Sequence, residues 1–88
     1  MPSLPPIPHV TDRTAQAVLG HVRSLGYAVS AFNLPASLWG TVPGCVEMHA
    51  VDVKTGEQFI AKVIDGEGEE ELKCACELAA MVGIDLEG

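Results

Sequence analysis

The side chains best suited to metal or nucleophilic chemistry are Cys45, Cys74, Cys76, His21 and His49. Cys74 and Cys76 stand two apart in a helical stretch, about 200° round the axis, so they cannot converge on one ion. Cys45, Glu47 and His49 alternate along a strand and share one of its faces, where they could offer three metal ligands. A tetrahedral site needs a fourth group, and the spacing names none. A thiol nucleophile needs a base and an orienting acid. Cys45 with His21 or His49 supplies the residue types, but no local motif joins them. Gly66-Glu67-Gly68 leads into glutamates, the wrong charge for a phosphate cradle at a helix start. The expectation is a chain with no catalytic set, metal or cofactor. A metal-dependent or thiol enzyme is the weakest reading.

Charge is the stronger signal. The chain of 88 residues carries twelve carboxylates against five Lys and Arg, a net charge of −7. Residues 1–46 hold Arg13, Arg23 and Asp12, a net of +1, so residues 47–88 hold a net of −8. Such a field repels nucleic acid and attracts basic surfaces. A hydrophobic fraction of 48% with 19% charged residues is globular. No apolar run reaches a membrane span, and Met1-Pro2-Ser3 lacks the basic start of a signal peptide. Three cysteines, an odd number, fit a reducing compartment. A cytoplasmic protein is expected, with no membrane contact.

The elements that must position these groups follow from pattern. Residues 1–10 hold four prolines and read as a loosely packed, extended arm, polyproline-like where they are dense. Residues 11–88 read as one domain. Thr11 is the expected N-cap of a first helix, with Ala15, Val18, Leu19, Val22 and Leu25 as its apolar stripe and Gly26 closing it. Gly20 inside that helix suggests a close approach, since glycine there costs about 1 kcal/mol. Tyr27 to Phe32 reads as a strand. Asn33 to Gly44 is a long connection that carries the only tryptophan, Trp39. Its alternatives are a cap folded over the core edge or an exposed anchor. Cys45 to Val53 and Gln58 to Ile64 alternate as strands around a turn at Lys54-Thr55-Gly56-Glu57. Val46, Met48 and Ala50 share one face of the first of these strands, and on the second Phe59, Ala61 and Val63 oppose Ile60, Lys62 and Ile64. Glu69, Glu70 and Glu71 open a last helix, where carboxylates suit the positive end of its dipole. Leu72, Ala75, Ala79 and Val82 form its expected buried stripe, with Gly83 closing it. Cys74, Leu78 and Met81 form a displaced second stripe, wider than one sheet normally buries. Ile84 and Leu86 are expected to pack before the chain ends.

The predicted fold class is α+β, in the order α-β-β-β-α, with two helices on one face of a three-stranded antiparallel sheet. This order, over Thr11 to Val82, resembles the double-stranded RNA-binding domain. In that family the second helix opens with lysines that grip phosphates, and the loop between the first two strands carries a histidine that reaches the minor groove. Here the matching stretch is Gly68-Glu69-Glu70-Glu71-Leu72-Lys73, with Ala75, Leu78 and Ala79 at packing positions, and the loop holds no histidine. The resemblance therefore implies the fold without duplex RNA binding, and fold does not dictate function.

The leading reading is a small acidic module that binds a protein with a basic surface. It is comparable in type to phage-borne inhibitors such as anti-CRISPR proteins, which occupy nucleic-acid-binding surfaces. Its expected partner-binding residues are Glu67, Glu69, Glu70, Glu71 and Glu77, with Trp39 and Met81 as apolar anchors. No direct nucleic-acid binding is expected. The alternative is a structural or assembly subunit, a homodimer using the Cys74/Met81 stripe or an added sheet edge.

Overall fold

The computed structural model describes residues 5–66 and 68–85. The expectations for Glu67, Leu86 and the first four residues lie outside that range. Its elements are α1 (Arg13–Ser24), β1 (Tyr27–Leu34), β2 (Cys45–Asp52), β3 (Gln58–Ile64) and α2 (Glu70–Met81). The sheet runs β1-β2-β3 with both pairs antiparallel. The two helices and the inner side of the sheet share one core, so the α-β-β-β-α reading holds.

Strand alternation decides which side of the sheet is covered. Ala31, Met48 and Ala61 are partners in one row, and Val29, Ala50 and Phe59 in the next. Ala31, Met48, Ala50 and Ala61 are buried with Ala15, Leu19 and Val22 of α1 and with Ala75, Leu78 and Ala79 of α2. The Tyr27 and Phe59 rings meet edge to face, centroids 6.1 Å apart, and close this layer near the hairpin tip. The β2–β3 turn is held by Asp52, whose carboxylate accepts from the backbone N–H of Lys54 (2.8 Å) and Thr55 (3.2 Å). Those bonds, Lys54's foremost, hold its pKa below the ordinary carboxylate value. Gly56 turns the corner at φ 79°, a conformation that disfavours a side chain.

Several expectations are corrected. Asp12, not Thr11, caps α1: its Oδ1 accepts from the Ala15 N–H at 2.8 Å. β1 continues two residues past Phe32, because Asn33 and Leu34 still find partners in Val46 and Cys45. Leu25 lies past the end of α1 at its C-cap and is exposed. Gly20 faces open space, with nothing within 4 Å of where a Cβ would stand, so no close approach explains it.

The segment before α1 is not loose where it is described. Ile7 is buried in the core with Val10. The Gln16 side chain holds it there like a short piece of sheet: its Oε1 accepts from Ile7 N (3.0 Å), and its Nε2 donates to Ile7 O (2.8 Å) and Val10 O (3.0 Å). Arg23 adds a bond from Nη1 to Pro5 O at 2.7 Å. Two polar residues on the outer side of α1 thus fasten the chain that precedes it.

α2 is turned relative to the expected stripe. Cys74, Ala75, Leu78 and Ala79 are buried, while Leu72 and Val82 are half-buried. The reason lies under the helix. The Cys74 thiol reaches the Ala61 carbonyl at 3.3 Å and the Val46 carbonyl at 3.6 Å, so a small sulfur group fits against β2 and β3 with its S–H satisfied. The second apolar stripe is therefore mostly core, and only Met81 of it is exposed.

Candidate functional site

The strand order sends the end of β1, the start of β2, the end of β3 and the start of both helices to one end of the molecule. Two loops meet there. Asp65 N donates to Gly44 O at 2.9 Å, joining the β1–β2 loop to the β3–α2 loop. Gly44 is confined at this junction. A Cβ on it would stand 2.6 Å from Asp65 Oδ2 and 3.0 Å from the Leu34 carbonyl, so a side chain would displace the Asp65 carboxylate and crowd the backbone of its own loop.

The β1–β2 loop is built to display its tip. Ser37 Oγ accepts from the N–H of Thr41 (3.1 Å) and Val42 (3.0 Å), and Ser37 N donates to Val42 O at 2.9 Å. This knot pinches the loop and leaves Leu38 and Trp39 at its turn, 98% and 88% exposed. Of the two alternatives for Trp39, capping the core is overturned: the indole stands in solvent. Leu38 beside it is equally bare, and sequence reasoning passed over it because a lone leucine in a loop carries no signal.

At this end of the molecule lies an open cleft of about 470 Å³. Asp12, Asp65, Glu69, Glu70 and Glu71 line it, with Thr11, Asn33 and Val46 completing the walls. Three of these five carboxylates belong to the expected partner-binding set. Asp12 and Asp65 were not foreseen, because they come from α1's cap and the far side of a glycine loop.

The glutamates differ in what else they do. Glu71 reaches across to the start of α1, where its Oε1 accepts from Asp12 N (2.7 Å) and Thr11 N (2.9 Å) and its carboxylate takes the Thr11 hydroxyl at 3.2 and 3.3 Å. Glu70 Oε1 accepts from Gly68 N (2.6 Å) and Gly66 N (3.2 Å) and ties the loop to the helix it precedes. Glu69 is the N-cap residue in the left-handed conformation, φ 58°, and makes no side-chain cap. A non-glycine residue held there costs on the order of 1 kcal/mol, offset by the bonds around it. Glu69 and Glu77 are exposed. Met81 closes the opposite end of α2, roughly 16 Å along the axis from Glu70, so the fold does not bring it to Trp39.

The groups considered for chemistry are placed otherwise. On the outer side of the sheet His49 Nε2 meets Glu47 Oε1 at 2.6 Å, and its Nδ1 meets Gln58 Nε2 at 3.3 Å, so both ring nitrogens are engaged. Phe32 packs edge-on to that ring at 5.1 Å. Cys45 and Cys74 are buried, and burial, helped by the charge of Glu77, pushes the Cys74 thiol up to about 12. A thiol held neutral is a poor nucleophile and ligand. Among the described residues no group of three or more His, Cys, Asp or Glu could hold a metal ion, and no helix is long and apolar enough to cross a membrane.

Comparison with protein-family models, with curated proteins and with solved structures finds no match. The class is defined by the fold itself. It is α+β with the α-β-β-β-α order and antiparallel sheet of a double-stranded RNA-binding domain, and the likeness lies in architecture.

Proposed function

We propose that this chain is an acidic protein-binding module whose binding end is the one shared by the cleft and the Leu38-Trp39 tip. One observation carries the reading: the end of the molecule that bears a cleft lined by five carboxylates also bears the loop with the exposed indole, the two joined at the Gly44–Asp65 junction. Dense negative charge speeds and orients the approach of a basic surface, while a large aromatic supplies affinity once seated. In the family this architecture resembles, the start of the second helix and the β1–β2 loop are places of RNA contact. Here they bear glutamates and a tryptophan, which suits a basic protein surface in place of a phosphate backbone. A partner that uses such a surface for nucleic acid would be inhibited by occupancy, in the manner of phage-borne, anti-CRISPR-like inhibitors.

The test is capture of the partner on the immobilised chain, repeated with variants. Glu70 and Glu71 are left intact because they hold the loop and α1. Charge reversal at Glu69 and Glu77 to lysine should slow association and flatten its salt dependence. Trp39→Ala should mainly speed dissociation, by about 2 kcal/mol or some thirtyfold. Nucleic acid should displace the chain from the captured protein. Unchanged association of the charge-reversed chain at low salt would reduce the acidic end to a solvated surface.

A further inference from the structure

The helices cover one side of the sheet and leave the edge strands exposed on the other, where Cys45 of the central strand is buried and Glu47 and His49 are half-buried. Alternation places Phe32 and Leu34 of β1, Cys45, Glu47 and His49 of β2, and Ile60, Lys62 and Ile64 of β3 on that outer side. Phe32, Leu34, Ile60 and Ile64 are all exposed large apolar side chains. In register, Glu47 stands beside Lys62, His49 beside Ile60 and Cys45 beside Ile64. The formal charges of Glu47 and Lys62 cancel, so the net −7 of the chain lies entirely on other surfaces. Two copies approaching through their acidic ends repel, whereas this face opposes no like field.

We propose that the outer sheet face is a self-association surface that packs on the same face of a second copy. The two-fold axis runs along the strands between β2 and β3. Such an axis makes the contact reciprocal. It sets Glu47 opposite the partner's Lys62 and Lys62 opposite the partner's Glu47. Ile60 then covers the partner's half-buried His49, and Ile64 lies over the strand position of the partner's buried Cys45. A basic partner gains nothing from a face without net charge, which separates this surface from the acidic cleft. Strands of eight, eight and seven residues, three abreast, span at most about 26 by 14 Å. That is small against the roughly 800 Å² per partner of a standard interface. The expected dimer is therefore weak, with a dissociation constant on the order of tens to hundreds of micromolar. It leaves the acidic ends of the two copies at the same end of the dimer and outside the contact, so it stands or falls apart from the proposed function.

Sedimentation velocity from about 10 μM to 1 mM tests it. The wild-type mass should climb from 9.2 kDa toward twice that value. Glu47→Lys alone and Lys62→Glu alone should each weaken association at least tenfold, since each variant opposes like charges across the axis. An equimolar mixture of the two single variants should associate, and the double variant Glu47→Lys/Lys62→Glu should regain the wild-type behaviour. Circular dichroism of each variant checks the fold. A wild-type chain that stays at monomer mass up to ~1 mM would give the face to some other protein and overturn the proposal. Association that ignores both single substitutions would overturn it equally.

Discussion

Glu71 joins the starts of the two helices, because one carboxylate satisfies the N–H groups of Thr11 and Asp12 and the Thr11 hydroxyl. Hydrogen bonds to a charged acceptor are stronger than neutral ones, though partial exposure lowers their net worth. Glu71→Ala should therefore cost about 1–2 kcal/mol, read as a lower urea midpoint at unchanged slope, with Glu69→Ala near neutral. Equal effects from the two variants would show that the inter-helix bond contributes nothing. Cys74 allows a second prediction. Its thiol is raised from 9.0 to about 12 by burial. A folded-state value above the unfolded one means that stability is intact below pH 9 and drains as pH rises toward 12. At pH 8 a thiol reagent should find one fast site, the half-buried Cys76. Cys45 and Cys74 should react only on unfolding, and Cys76→Ser should remove the fast phase.

At the scale of the element, the orientation of α2 makes a sharp claim. Leu78 is fully buried while Leu72 is half-exposed, the reverse of what the simplest apolar stripe implies. Leu78→Ala should cost about 2–5 kcal/mol as a core truncation, and Leu72→Ala about 1 kcal/mol. Chemical denaturation of the two variants compares them directly. A larger loss at Leu72 would mean that the helix is rolled about its axis from the position described. The periodicity of α2 showed a helix with too wide an apolar arc, and correctly so. It could not choose the arc, because Cys74 is small enough to sit on either side and its acceptors belong to β2 and β3.

For the whole molecule, charge separation dominates. α1 and β1 are nearly neutral, whereas the hairpin, its following loop and α2 hold the carboxylates. A duplex-binding protein of this architecture needs cations at the start of α2, and counterion release needs several phosphate contacts. Duplex RNA and DNA should accordingly show no gel shift at micromolar protein in ~0.15 M salt. A clear shift would mean that the arginines of α1 create a binding face despite the acidic end.

Element order, strand polarity and the turn at Gly56 were determined by the sequence alone. Each rests on neighbours a few residues apart: alternation of Val46, Met48 and Ala50, a positive-φ glycine, and the closing glycine Gly26, with the opening cap placed one residue early at Thr11. The composition of the proposed binding end was partly legible too, in three glutamates and a single tryptophan. What only tertiary structure decided are the partners across long separations. Glu71 finds Thr11 sixty residues away. Ile7 joins the core because Gln16 offers its backbone a strand-like pairing. Trp39 stays in water because Ser37 knots its loop outward and Gly44 lets Asp65 come close. Local pattern carries no term for such pairings. They depend on which surfaces the packed helices and sheet bring together, and that geometry exists only after folding.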